Sequence, residues 1–405
     1  MRPALPFIFV TVLLDVLSFG IIIPVLPKLI ERFMGGNTAR AAEIYGLFGT
    51  VWALMQFVCS PVLGALSDRF GRRPVILFSN FGLGLDYIVM ALAPTINWLF
   101  VGRVISGITG ASFTAASAYV ADVTPPEKRA ASYGLVGAAW GLGFILGPAV
   151  GGVLGAYDPR LPFWGAAALT LINATYGVFV LPESLPPERR AAFEWKRANP
   201  VGALALLRSH PELLGLATVS VLYFLAHQVL PSVFVLYTGY RYGWNESTVG
   251  LTLAASGVFG IIVQAGLVKS IVARFGERRT LLIGLFCGAV GFTIYGLART
   301  PTQFWSGLPI FAFMGLFSPS AQGLMTRRVE ASAQGQLQGA NSSIMGITGL
   351  IGPGLFTLTF AASIGAHRNW QLPGAPFLLA ALLLVVALLL AWRVTQIKKI
   401  QRTIE

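Results

Sequence analysis

Two aspartates, Asp15 and Asp86, stand near the middle of long apolar runs. An ionised carboxylate at bilayer depth costs about 2.5 to 3.5 kcal/mol even on insertion scales. Such a residue therefore faces a wet cavity or holds a proton, and Arg103, in another apolar run, carries a charge able to tune either outcome. The same three groups also read as an internal ion pair that fixes helix packing. His227 is the other group in an apolar run able to titrate near neutrality, and a lone histidine there reads equally as an interhelical hydrogen bond. The chemistry on offer is the binding of a proton or a cation. An enzyme is not expected, because the chain has no P-loop, G-x-S-x-G elbow, H-E-x-x-H or dinucleotide fingerprint. The two cysteines, Cys59 and Cys287, both fall in apolar runs, so neither a disulfide framework nor a metal site is expected.

The elements that must hold these residues are membrane spans. Of 405 residues, 55% are hydrophobic and 11% charged, and the mean hydropathy is +0.71; a soluble domain carries about 25% charge. A span needs about 20 mostly apolar residues. Twelve such runs occur, near 5–30, 45–66, 75–93, 96–121, 131–155, 162–181, 213–239, 247–272, 280–298, 302–326, 333–361 and 374–395. Barrel strands are shorter and alternate in polarity, whereas Ala380 to Leu390 is apolar throughout, so the expected fold is an all-α membrane protein of twelve transmembrane helices.

A formal charge of +13 raises the question of a nucleic-acid partner, but the 29 Lys and Arg are placed one-sidedly. With both termini on one side, that side's loops hold most of them, among them Arg69, Arg72, Arg73, Lys128, Arg129, Arg189, Arg190, Arg278, Arg279, Arg327 and Arg328. The positive-inside rule then puts both termini in the cytoplasm and makes the basic excess topological, with no nucleic acid expected. Arg2 followed by an apolar run resembles a signal peptide, but the run is long and no A-x-A site follows, so it reads as the first span.

An offset of 205 residues recurs along the chain. It relates Gly71 to Gly276, Gly147-Pro148 to Gly352-Pro353, and Gly102, Gly110, Gly134 and Gly141 to Gly307, Gly315, Gly339 and Gly346; Arg-Phe-Gly stands at both 69–71 and 274–276. A shared register over four helices and two loops indicates duplication of a six-helix unit. The expected domains are a first half, 1–181, a cytoplasmic linker, 182–211, and a second half, 212–405. Within the linker, Asn199-Pro200 reads as the start of a helix lying on the membrane surface or as part of a flexible connection. An even helix count gives both halves the same orientation.

The loop Gly64-Ala-Leu-Ser-Asp68-Arg69-Phe70-Gly71-Arg72-Arg73-Pro74 resembles the signature loop of the major facilitator superfamily. Arg103-Val-Ile-Ser-Gly107-Ile-Thr-Gly110 resembles a second motif of that family. The segment Gly143-Phe-Ile-Leu-Gly147-Pro148-Ala-Val-Gly151-Gly152 resembles the motif of its drug/proton antiporters. Leu14-Asp15 with Pro24 and Pro27, Leu85-Asp86-Tyr87, Gly243-Trp-Asn245 and Gln336-Leu-Gln-Gly339 are similar to the tetracycline-efflux branch. The resemblance implies two pseudo-symmetric halves with substrate held between them at mid-membrane. It also implies energy from a proton gradient with no bound cofactor, and a monomer working in the bacterial inner membrane. A tetracycline-like substrate would travel as a complex with a divalent metal.

Asp68 reads either as a solvated loop charge or as a conformational latch that caps a helix N-terminus and pairs with Arg72 or Arg73. In the family the matching Arg meets an acid at the end of span four, and Asp122 is the residue here able to take that part. Gly143, Gly147 and Gly151 let helices approach closely, and Pro148 adds a bend. Gln264, Gln322, Gln336, Gln338, Asn341 and Ser342 are candidates to line the second half's side of a cavity. Where the branch carries a histidine in span eight and an aspartate in span nine, gap-free matching gives Gly260 and Gly288. The leading functional expectation is a proton-coupled antiporter exporting a small amphipathic compound. A proton symporter importing a metabolite is the alternative, since both would use Asp15 and Asp86.

Overall fold

The computed structural model describes residues 4–110, 112–125, 129–190, 211–329 and 334–396, and among them helices are joined by short turns with no strand. Lys128 and the expected surface helix from Asn199-Pro200 lie outside the described residues.

Span one is α1 (Ala4–Ile22) followed by α2 (Leu26–Phe33). The break falls at Pro24, which has no N–H to give to the helix ladder. Then come α3 (Thr38–Phe70) and α4 (Arg72–Leu92), α5 (Ile96–Thr109) with α6 (Ser112–Val123) as span four, α7 (Arg129–Tyr157) and α8 (Leu161–Val180). Span seven is α9 (Pro211–His227) and α10 (Val229–Tyr242). Span eight starts with α11 (Glu246–Ile261), passes through a π-helical turn at Ile262–Leu267 and runs into α12 (Val268–Leu297). Span ten is α13 (Pro301–Ala312), a 3-10 turn at Phe313–Leu316 and α14 (Phe317–Thr326); α15 (Gln334–Ile364) and α16 (Ala375–Val394) complete the chain.

Among the described residues, ten helical stretches are long and apolar enough to cross a membrane. One of them, Glu246–Leu297, has 52 residues and holds two spans, because Gly276 turns the backbone inside it at φ 74° and ψ 161°. With α5 and α6 as a further crossing, twelve spans result, and the chain is a multi-pass membrane protein. Two boundaries depart from the hydropathy reading. Span two runs from Thr38 to Phe70, well beyond the apolar run 45–66, because a helix needs no apolar side chains where it leaves the bilayer. Spans eight and nine are joined by a one-residue turn in place of the expected loop.

The duplication is visible in where helices break. α1 ends at Ile22 and α9 at His227, 205 residues apart. Gly71, at φ 105° and ψ 160°, has the backbone of Gly276. Glycine enters this region freely, and a Cβ would be strained there.

The chain packs as two compact units, one of Met1–Asn37, Leu47–Pro200 and Trp244–Ala254, the other of Thr38–Gly46, Val201–Gly243 and Ala255–Glu405. In the first unit α1 runs along α7 and α8, and α4 packs on α8, α5 and α6. Its core includes Ile8, Val12, Val16, Ile76, Tyr119 and Ala139. In the second unit α12 packs against α13, α14 and α16. Its core is aromatic: Tyr295 stacks on Phe304 at 4.3 Å, Phe292 meets Phe377 at 6.2 Å, and the Tyr237 hydroxyl donates to the Tyr295 carbonyl at 2.8 Å. The hydroxyl needs that acceptor because it is buried.

Candidate functional site

Asp86 lies on the buried face of α4 and is 0% exposed. Arg103 on α5 brings Nη2 to 3.5 Å from Asp86 Oδ2 and 3.1 Å from Met90 Sδ. Gly102 makes the space: a Cβ there would stand 2.7 Å from Asp86 Oδ1. The pair is only partly satisfied, since Asp86 Oδ1 and Arg103 Nε have no hydrogen-bond partner among the described residues.

Asp15 on α1 sits in an amide cradle. Asn173 of α8 donates from Nδ2 to Asp15 Oδ1 at 2.8 Å and to the Thr11 carbonyl at 3.0 Å. Asn80 of α4, its amide turned so that nitrogen faces the acid, donates to both Asp15 oxygens at 3.2 Å and accepts from Asn173 at 3.1 Å. Both amides are buried, at 1% and 0% exposure. Tyr87 lies in the field of Asp15, Asp86 and Arg103, so the three charges share one neighbourhood in the first unit.

At the junction of α3 and α4, Arg72 lies between Asp68, with which it forms an ion pair, and Asp122, whose Oδ2 is 3.0 Å from its Nε; its Nη1 also reaches the Ser67 hydroxyl at 2.6 Å. Asp68 does not cap a helix N-terminus. It lies in the last turn of α3, four residues before Arg72, and the N-terminus of α4 is capped by Glu183, which accepts from the backbone N–H of Arg72 at 2.9 Å and of Arg73 at 3.3 Å. The Arg73 side chain turns away to the Val178 carbonyl. Because Asp68 is half-exposed and Arg72 keeps Asp122, Asp68→Asn should leave the amount of folded protein within about 1 kcal/mol of wild type while transport slows severalfold. Wild-type turnover by that variant would assign Asp68 to the solvated-charge reading.

The second unit carries a pair at the equivalent positions with the signs exchanged: Glu277, 205 residues after Arg72, binds Arg327, 205 residues after Asp122, at 2.9 Å.

Gly147, Gly151 and Gly152 of α7 face helix backbone. Side chains at Gly143 and Gly147 would collide with Val16 and Gly20, one at Gly151 would fall on the Ile21 carbonyl, and one at Gly152 on the Glu246 carbonyl. Pro148 stands inside a continuous helix.

In the second unit the candidates are spread out. His227 ends α9 and is exposed. Asn341 donates to Gln322 at 2.9 Å, and Gln264, on the π turn, faces Gly315 in the 3-10 turn of span ten. Gln336 and Gln338 are exposed. Gly260 has open space where a Cβ would go, whereas a side chain at Gly288 would strike Leu384 and Met314.

Asn80, Asn173 and Glu183 did not stand out in the sequence. A polar amide in an apolar run is a signal for the first two, as a buried amide needs partners. Glu183 lies among linker charges and carries no local sign of its cap.

The sequence profile described as Major Facilitator Superfamily matches residues 8–353 and 266–403. The class C tetracycline resistance protein of Escherichia coli is 37% identical over 388 residues, 95% of each chain, and the class B protein of the same organism is 34% identical over 367 residues, 89% of each. Among solved structures, the human organic anion transporter MFSD10 (TETRAN) aligns with a TM-score of 0.71 at 23% identity, covering 96% of this chain and all of that one. A bacterial homologue of the human lysosomal transporter Spinster aligns with a TM-score of 0.77 at 16% identity, covering 97% and 96%. These two likenesses concern the fold alone. Full-length matches to the profile and to relatives above 30% identity place the chain among membrane transporters of small molecules, and it belongs to the Major Facilitator Superfamily.

Proposed function

We propose that this protein is a proton-coupled antiporter that exports a small amphipathic drug of the tetracycline type from the bacterial cytoplasm by alternating access. In this reading it lies in the inner membrane with both termini cytoplasmic and works as a monomer of two repeats. The observation that carries the proposal is the set of ionisable groups inside the spans, Asp15 in its amide cradle and Asp86 beside Arg103. Ionisable residues inside spans are costly and mark ion or substrate pathways. The names of the relatives support a drug as cargo, and the one-sided basic loops support the orientation.

Inside-out vesicles test direction and coupling together. With an imposed proton gradient, tetracycline–magnesium should accumulate inside them, and accumulation should collapse with a protonophore. Uptake in the opposite sense would make the protein an importer. Charge selection follows from the buried Asp86 carboxylate. Asp86→Asn should weaken a cationic compound by several kcal/mol more than a neutral analogue, because a lost buried charge pair costs about 3 to 5 kcal/mol. Equal losses for the two in a binding assay would show that this carboxylate does not read charge.

A further inference from the structure

We propose that Asn80 and Asn173 are positioning residues that let Asp15 change protonation state inside the bundle by exchanging hydrogen bonds with amides held on two other helices. The inference rests on the reading of Asp15 as a proton-carrying group. A carboxylate only accepts hydrogen bonds, whereas its protonated form must also donate one. A hydrocarbon environment serves neither state, and a cation serves only the first. Two amides serve both, because each carries donors and an acceptor on a planar group that turns about one soft torsion.

The geometry has these properties. Asn173 and Asn80 supply donors to Asp15 at 2.8 Å and 3.2 Å from α8 and α4, so the acid on α1 is held from two helices at once. Half a turn of the Asn80 amide exchanges nitrogen for oxygen at the place facing Asp15. That turn moves atoms of nearly equal size and exchanges the hydrogen bond Asn80 accepts from Asn173 for one it accepts from the protonated acid. Asn173 Oδ1 is a second acceptor, fully buried and without a hydrogen-bond partner among the described residues. Buried amides are otherwise costly, and simple packing would be served as well by leucine.

Ionisable groups in this neighbourhood include Tyr87, Asp86 and Arg103 on α4 and α5. Along the neighbouring face of α7 stand the uncharged Gly143, Gly147 and Gly151, and α8 adds Tyr176, whose ring lies 6.3 Å from Phe7. The step itself is the gain or loss of one proton at an Asp15 carboxyl oxygen, exchanged with water, and no other bond changes.

Infrared difference spectroscopy on the purified full-length protein, taken between acid and alkaline buffer, tests this without a substrate. The carboxyl band that vanishes in Asp15→Asn identifies the protonated acid, and isotope-labelled asparagine identifies the amides. In wild type the carboxyl band should appear together with a labelled-amide change. In Asn80→Leu and Asn173→Leu the carboxyl band should move and the amide change should shrink. Asn80→Thr, whose hydroxyl can both donate and accept, should keep the carboxyl band near its wild-type position and serves if the leucine variants do not fold. An Asp15 band identical in wild type and the asparagine variants would overturn the inference alone. Absence of any band that depends on Asp15 would overturn the reading of Asp15 as a proton carrier, and the inference with it.

Discussion

Arg103→Met should lower the stability of the purified protein by about 3 to 5 kcal/mol and end transport, because it leaves the Asp86 carboxylate buried without its cation. The double variant Asp86→Asn, Arg103→Met should regain most of that stability, since a neutral amide and a thioether leave no uncompensated charge, yet it should remain inactive. Thermal unfolding in detergent measures the first quantity, and substrate-driven proton movement in proteoliposomes the second. Wild-type melting by the single variant would show that the 3.5 Å contact holds nothing. Activity in the double variant would remove both residues from the transport cycle.

Gly151→Ala should be the most damaging of small substitutions in α7. Its Cβ would coincide with the Ile21 carbonyl, so one helix backbone must move from another, whereas a clash with a flexible side-chain tip could be relieved locally. Overpacking of this kind costs about 1 to 3 kcal/mol or more. Gly134→Ala, on the same helix with nothing within 4 Å of the new methyl, should behave as wild type. Yield of monodisperse protein and export rate, compared between the two, decide the matter. Equal behaviour would mean that the glycine series is not a packing seam.

Run length and the recurring 205-residue step made the fold legible in the sequence, because both follow from bilayer thickness and duplication and not from side-chain detail. The aspartates were legible for the same reason: a charge in an apolar run is conspicuous. Their surroundings were not. Asn173 meets Asp15 across 158 residues, and no local pattern records such a meeting. Glu183 was read with the linker because its work is done on the N-terminus of α4, 111 residues earlier. The π turn at Ile262–Leu267 has no proline and no composition change to announce it. The two positions that depart from the tetracycline branch also separate only in three dimensions. Gly260 has room for a side chain, and Gly288 is filled by Leu384 and Met314, so an aspartate there would first need those two to retreat.

The two charge pairs at the helix junctions have a consequence for biosynthesis. Arg72 and Asp122 are 50 residues apart in the chain, and so are Glu277 and Arg327. Each pair joins the start of one span to the end of the next. Each can therefore form as soon as the fourth helix of its own repeat has entered the membrane, while the ribosome is still translating later helices. At synthesis rates of about 5 to 20 residues per second, that leaves seconds in which a helix pair could slip or invert before its remaining neighbours arrive. A staple made from residues so near in sequence closes within that interval, and it does so twice per chain with opposite polarity, so each repeat carries its own junction pair.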